Sequence, residues 1–350
     1  MTHPRPVVFM GVDTHLDIHH LAVVDQLGAP LGDTQVPATP AGSAAAVVFA
    51  AGHGEVAAAG VEGTGSYGAG LTRFLTDAGI VVVEVNRPNR AERRLAGKSD
   101  PIDAYAAARA AASGRARTVP KDRTGTVEAI RAIHTSRRGA VKARTQAMNQ
   151  LRALLVTAPA GLREHLRALP THELVDACAR LRPGHDLADP TAATKTALRR
   201  LARRIQQLSE EITDADIDLD TLTRQAAPTL RAQPGVGPDA AAKLLITAGD
   251  NPHRIGSDAA FAHLCGVAPI PASSGHTTRH RLNRGGDRQA NNALHTITLT
   301  RQRHDPRTRA YTQRRTTEGL TPRDIRRCLK RYIARELHPI LTADLAALTT

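Results

Sequence analysis

"PVVFMGVDTHLDIHHLAVVD", residues 6–25, decides how this chain is read. β-Branched and aliphatic residues are dense on both sides of a polar break at Leu16–Asp17, which predicts two strands around a turn. "LGAPLGDTQVPAT" (27–39) adds a Gly/Pro turn and a third strand. "PAGSAAAVVFAAGHG" (40–54) predicts an Ala-rich helix that stops at glycines. "EVAAAGVEGTGSYG" (55–68) reads as a buried strand running into a glycine-rich turn, with Glu62 at the strand's C-terminal end. A helix over "YGAGLTRFLTDAG" (67–79) and a strand over "IVVVEVNRPN" (80–89) follow.

A meander, helix, strand, helix and strand in that order predict a mixed α/β sheet, the element order of a ribonuclease H-like fold. From about residue 124 to 226 the pattern turns helical. Val127, Ile130, Ile133, Val141, Met148, Leu151 and Leu155 fall near one stripe. Leu198, Leu201, Ile205, Leu208, Ile212, Ala215, Leu219 and Leu222 alternate steps of three and four, a heptad seam. Such a seam suits an intramolecular helical hairpin and a dimerising coiled coil equally. "LRAQPGVGPDAAAKLL" (230–245) places a Pro-Gly-Val-Gly turn between two apolar runs, the look of a helix-hairpin-helix element. Its Gly235 and Gly237 permit close backbone approach, and the following helix start offers N–H groups to a phosphate; a plain connection between helices has the same pattern. Further on, Arg279, Arg281, Arg284 and Arg288 crowd around a Ser-Ser-Gly turn, and "RDIRRCLKRYIARELHPIL" (323–341) predicts a basic amphipathic helix.

The chain is basic as a whole, with a net charge of +14, which favours a polyanionic partner. The charge is unevenly divided. Residues 1–104 hold 7 Lys/Arg and 11 Asp/Glu, while the remainder holds 40 and 22. An acidic front and a basic remainder suggest cation binding in the first and nucleic-acid gripping in the second. Cys178, Cys265 and Cys328 are isolated, so neither a zinc knuckle nor a disulfide framework is expected, and a reducing cytosol fits. No apolar run approaches the roughly 20 residues of a membrane span. The opening residues enter a strand without the apolar segment of a signal peptide. A soluble intracellular protein is expected.

"AGKSDPIDAYAAARAA" (96–111) places Asp100 and Asp103 three apart. Taken alone, "SDPID" is a good helix start, with Asp100 as N-cap, Pro101 at the first position and Asp103 in the first turn. The company of Asp13 in the first strand and Glu62 at the end of its neighbour changes the balance. In a ribonuclease H-like arrangement these positions and a later helix N-terminus converge on one sheet edge. Four carboxylates meeting there repel each other unless divalent cations lie between them. Two Mg²⁺ or Mn²⁺ ions held so can activate an attacking oxygen and stabilise a leaving one on phosphate. His15, His19 and His20 cluster near Asp13; a solvated strand edge is the expected account of them, with a role beside a metal as the minority view.

"GVDTHLDIHHLAVVD", "VEGTGSYG" and "KSDPIDAYAAARAA" resemble the three acidic blocks of the DEDD insertion-sequence transposases, whose first domain is similar to the RuvC Holliday-junction nuclease. "PGVGPDAAAKLL" and "GVAPIPASSGHTTRHRLNRGGDRQANNAL" resemble that family's C-terminal transposase domain. Relatives include pilin-gene invertases and bridge-RNA-guided recombinases. The resemblance implies a RuvC-like DEDD domain over 1–120, a helical coiled-coil linker over 121–227, and a C-terminal transposase domain over 228–350. It implies Asp13, Glu62, Asp100 and Asp103 as the Mg²⁺-binding (or Mn²⁺-binding) tetrad. It further implies a C-terminal serine that joins covalently to DNA, placed at Ser274 with Ser273 as immediate rival. A serine hydroxyl needs activation, and Arg279, Arg281, Arg284 or Arg288 would face the charge on phosphate. DNA, a noncoding bridge RNA and a homo-oligomer with a composite site are the implied partners, in a bacterial cytoplasm at the nucleoid.

Three other readings compete with transposition. An actin-like phosphotransferase shares the opening Gly-x-Asp, but no second glycine-rich phosphate loop with an Asp is found. A junction nuclease acting by hydrolysis needs only the carboxylates. A non-catalytic DNA-binding protein would leave those carboxylates as helix caps.

Overall fold

The computed structural model describes residues 5–85, 99–276 and 280–348. The chain divides into two compact units, one of residues 1–123 with 249–254, the other of 124–248 with 255–350.

The first unit is built on a five-stranded sheet ordered β3-β2-β1-β4-β5. Strands β1 (Val7–Thr14), β2 (Ile18–Asp25) and β3 (Pro30–Pro37) form the antiparallel meander. β4 (Glu55–Glu62) joins β1 in parallel, and β5 (Val81–Val85) joins β4 in parallel. Helices α1 (Pro40–His53) and α2 (Ala69–Asp77) provide the crossovers between the parallel strands. Side chains alternate across the sheet, and the two faces have different chemistry. Val8, Met10, Val12, Ala59 and Val61 bury one face with Ala46 and Ala50 of α1 and Leu71 and Leu75 of α2.

The other face carries Gly11 and Gly60, paired in register, and onto them docks α3 (Asp100–Ala112). A Cβ on Gly11 would lie 2.1 Å from both the Ala104 carbonyl oxygen and the Ala108 nitrogen; on Gly60 it would lie 2.4 Å from the Ala107 oxygen. The alanines of α3 complete this backbone-to-backbone fit, since Ala104, Ala107, Ala108 and Ala111 are buried. Two further contacts hold the helix laterally. The Tyr105 hydroxyl donates to Asp33 (3.1 Å), whose other oxygen lies 2.9 Å from His20 Nε2. Arg109 Nε donates to the Gly28 carbonyl at 3.0 Å. A short return of the chain, Gly249–Arg254, also belongs to this unit. There the buried Asn251 donates from Nδ2 to the Pro120 carbonyl (2.8 Å) and to Asp122 (3.0 Å).

The second unit is helical. α4 (Thr126–Val156) and α7 (Pro190–Ala226) pack along each other in antiparallel fashion, with α5 (Ala160–Arg167) and α6 (Thr171–Ala179) between them in sequence. At one end Ala147, Leu151 and Leu155 meet Leu198, Ala202 and Ile205; at the other, Val127 and Ile130 share a core with Leu219. The heptad seam is therefore buried against a helix of its own chain. Alanines take the closest positions: Ala140, Ala147 and Ala202 are buried where Val141, Met148 and Leu201 are only partly so. Around the hairpin base lie α8 (Pro228–Arg231), α9 (Pro238–Ala248), α10 (Asp258–Leu264), α11 (Arg288–His304), α12 (Pro306–Thr317) and α13 (Pro322–Ala347). His134 Nε2 lies 3.1 Å from Asp239 at the start of α9, and Lys243 Nζ reaches the same carboxylate at 2.6 Å. Burial works against the Asp239 charge, but these two partners hold its carboxyl well below the usual range. No helix among the described residues is long and apolar enough to cross a membrane.

Replacing Gly11 by Ala should cost roughly 1–3 kcal/mol of stability, because the new methyl meets backbone that must shift. Thermal unfolding of the full chain, followed by circular dichroism, checks this; a variant that melts like the parent would mean α3 does not rest on this glycine.

Candidate functional site

Two strands in this fold repeat one short pattern. β1 carries Gly11-Val12-Asp13 and β4 carries Gly60-Val61-Glu62, side by side, with Gly11 opposite Gly60 and Val12 opposite Val61. The glycines make the seat for α3. The carboxylates stand two residues on, on the same face, just where the helix begins. Asp13 and Glu62 therefore lie at adjacent strand ends, and Thr14 Oγ1 donates to the Glu62 carbonyl at 2.9 Å to fasten them.

The N-terminus of α3 brings the other two acids. Ser99 takes the N-cap position, so Asp100 is not the cap that the "SDPID" pattern suggested. Its carboxylate is turned to the sheet edge, where Asp100 Oδ1 lies 3.5 Å from His15 Nε2. The same nitrogen lies 3.2 Å from Asp13 Oδ2. Asp13, His15 and Asp100 thus offer three ligand atoms all within 4.8 Å of one another. Asp103, one turn into the helix, is buried. Burial pushes the Asp13 carboxyl above its usual range; His15 opposes this, while the charges of Asp103 and Asp100 add to it. That balance places three of the four acids close enough to repel, with Glu62 beside them by register. Oxygen donors with one imidazole suit a divalent cation.

The histidines correct an expectation. His15 sits at the acidic cluster rather than on a merely solvated edge, although its side chain is about half exposed at 51%. His19 and His20 are buried, not solvated. His20 serves Asp33 and the α3 clamp, and burial holds His19 below the usual histidine range, with His15 adding to this and Asp13 opposing it. A further cation at this edge was not legible from sequence. Arg123 takes a left-handed backbone (φ 55°), unusual for a side chain of its size. Its guanidinium lies against the turn after Glu62, where a Cβ on Gly65 would come within 2.9 Å of Nη2.

In the second unit the serine candidates lie on a two-rung hairpin, β6 (Ile270–Pro271) with β7 (His280–Arg281). Its base is pinched where Gly266 crosses Gly286, so closely that a Cβ on Gly286 would meet the Gly266 nitrogen at 2.2 Å. Ser273 and Ser274 are exposed near the tip, followed by Gly275 at φ +57°. Arg281, Arg284 and Arg288 are exposed as well, and Arg288 opens α11 behind its N-cap Asp287. Arg279 lies outside the described residues. Gly235 adopts φ +78° in a turn packed on α11, 3.3 Å from the Ile297 carbonyl by its virtual Cβ, whereas nothing crowds Gly237.

Residues 10–158 match a transposase family of the DEDD IS110 type, and residues 227–313 match the transposase IS116/IS110/IS902 family. The chain is 31% identical over 140 residues to the insertion element IS900 uncharacterized 42 kDa protein of Mycobacterium paratuberculosis, covering 39% of this chain and 34% of that one. It is 37% identical over 97 residues to the insertion element IS110 uncharacterized 43.6 kDa protein of Streptomyces coelicolor, covering 27% and 24%. The aligned stretches thus span about a third or less of these relatives. With both family matches in order on one chain, the protein belongs to the IS110-type DEDD insertion-sequence transposases.

The raised Asp13 proton affinity has a definite sign. Below the ordinary value of 3.8 its effect on stability vanishes, and above its raised value the ionised carboxylate destabilises the folded chain. A bound divalent cation removes that penalty. In chelator at pH 7, Asp13→Asn should therefore melt above the parent, while millimolar Mg²⁺ raises the parent's melting temperature and leaves the variant's unchanged. The parent's Mg²⁺ shift should shrink as the pH falls towards 4. Equal Mg²⁺ shifts in both proteins would show that Asp13 does not help hold the ion.

Proposed function

We propose that the chain is a DNA transposase or recombinase that cuts and rejoins strands at insertion-element ends. The observation that carries this is the convergence of Asp13, His15 and Asp100, with Asp103 and Glu62, on one edge of a sheet whose glycines let α3 approach. Asp13, Glu62, Asp100 and Asp103 would hold Mg²⁺ or Mn²⁺. When bound, such ions supply Lewis-acid stabilisation of charge on the attacked phosphate.

The rest of the reaction falls to the chain's own groups. Ser274 Oγ forms a bond to phosphorus as the bridging P–O bond of the strand breaks. Its proton goes to a base at the site, and the departing strand end leaves as a hydroxyl. Rejoining reverses these events with a different strand end as nucleophile, so no water is consumed. Arg281, Arg284 and Arg288 neutralise phosphate charge along the strand, with Arg279 beside them in sequence. The exposure of Ser274 on a loop pinched at its base supports this role, because a reacting hydroxyl must be accessible yet positioned. The turn at Gly235 and Gly237, with the start of α9, would meet the DNA backbone.

Selection of the sites by a bridge RNA, and assembly as a homo-oligomer in which two subunits complete each site, follow from the likeness to guided recombinases. The excess of cations in residues 105–350 supports a polyanion on that part of the chain. The expected setting is the bacterial nucleoid.

Mass spectrometry of the full chain after incubation with element-junction DNA, flanking RNA and Mg²⁺ should find a DNA adduct on Ser274. Ser274→Ala should abolish both adduct and joining, with Ser273→Ala retaining them. An adduct on Ser273 would move the nucleophile by one residue. Cleaved DNA with no adduct would replace this reading with hydrolysis by the carboxylates alone.

A further inference from the structure

A cavity of about 370 Å³ opens between the Gly266–Pro269 segment, the strand around Arg281, and one face of α13. Of the residues given a role so far, Arg281 lines it. Two large apolar side chains stand at it half exposed, Leu282 at 50% and Tyr332 at 54%. In a chain with no Trp, four Phe and four Tyr, an exposed ring is costly to leave in water and marks a contact surface. The ring is not loose, because Tyr311 braces it edge-on at 5.7 Å between centroids.

The opposite character comes from the cations. Lys330 Nζ bonds to Asn291 Oδ1 at 2.9 Å. That amide is itself fixed, since its Nδ2 donates to the carbonyls of Cys265 and Gly266, each at 3.0 Å. The ammonium is thereby held in place by a neutral partner, and among the described residues no carboxylate pairs with it. Burial and the neighbouring Arg327 hold it below the usual lysine range, as expected of a cation lacking a counter-charge. Arg331 pairs with Asp258 through Nη2 at 3.1 Å, but its Nη1 is buried with no hydrogen-bond partner among the described residues. A half-buried cation with no counter-charge at a cavity calls for an acceptor anion, and Arg331 adds positive charge beside it. The cavity's one carboxylate, Asp324, is already engaged by Arg327 at 2.8 Å and Thr321 at 2.6 Å.

We propose that this cavity takes one unstacked nucleotide of a DNA strand, its base against Tyr332 and Leu282 and its phosphate against Lys330 and Arg331. The volume is near the lower end of small-ligand sites, about 300–1,000 Å³, which suits one nucleotide and excludes a duplex. Base–aromatic stacking beside a cation is the usual way a single strand is held. DNA is the source because the cavity wall at Arg281 is a strand of the hairpin that carries Ser274. The inference rests on the reading that this hairpin works on DNA, and it adds where a strand opened beside the cut is anchored.

The test uses the full chain carrying Ser274→Ala, so that no bond forms, and a short single-stranded DNA oligonucleotide containing 2-aminopurine. Binding should quench the fluorophore as it stacks. Tyr332→Phe should keep the quench. Tyr332→Ala should lose it and bind roughly tenfold more weakly, and Lys330→Gln should weaken binding and lower the salt slope by about one phosphate. An unchanged quench in Tyr332→Ala, or an equal quench with the duplex, overturns the proposal. Tighter binding of the matching RNA overturns its assignment to DNA. The serine adduct on the parent chain is read separately: an adduct formed without a Tyr332-dependent quench sinks the cavity and leaves the serine mechanism standing, and a quench without an adduct does the reverse.

Discussion

The acidic edge depends on one close approach, that of the α3 backbone to Gly11 and Gly60. Helices normally stand off a sheet by the thickness of their side chains. Here the strands supply no Cβ at the contact and the helix supplies alanines, so the carbonyls of Ala104 and Ala107 come almost onto the strand backbone. The consequence is electrostatic. A helix held further away would leave Asp100 and Asp103 in water, where they would be ordinary first-turn acids. Held this close, they share the space of Asp13, and His15 is drawn between two of them. Repulsion is built into the folded chain, and a divalent cation is the natural means of relieving it.

Much of this was legible from residues alone. The meander and the alternation that follows it gave the order of elements along the chain and the mixed sheet, because β-branched runs broken by Gly and Pro leave little choice. The helix starting near Asp100 was likewise readable from its opening residues. The paired Gly-Val-Asp and Gly-Val-Glu were also present in the sequence, and read together they would have named both the helix seat and the acids that follow it. What the sequence did not carry was partner choice. "SDPID" suggests Asp100 as the cap, whereas Ser99 takes that position and Asp100 lies beside His15. His19 and His20 look polar on paper yet are buried, since neighbouring strands and Asp33 enclose them.

The helical unit illustrates a different limit. Periodicity marked the seam on α7 but could not say which surface covers it. The answer is a helix of the same chain, and the tightest contacts pass through alanines that a hydrophobicity count ranks below their leucine and methionine neighbours. The exposed Tyr332 escaped for a similar reason. One tyrosine within a basic amphipathic pattern does not reveal that it stands half exposed at a cavity wall.

The short return of Gly249–Arg254 to the first unit has a consequence for heredity. Those six residues lie within the stretch that matches the second transposase family, yet Asn251 completes the hydrogen bonding of Pro120 and Asp122 at the edge of the first unit. A gene break near residue 123 would not yield two self-sufficient parts. The first unit is discontinuous in sequence, so such a break would part Pro120 and Asp122 from a hydrogen-bond partner more than a hundred positions away.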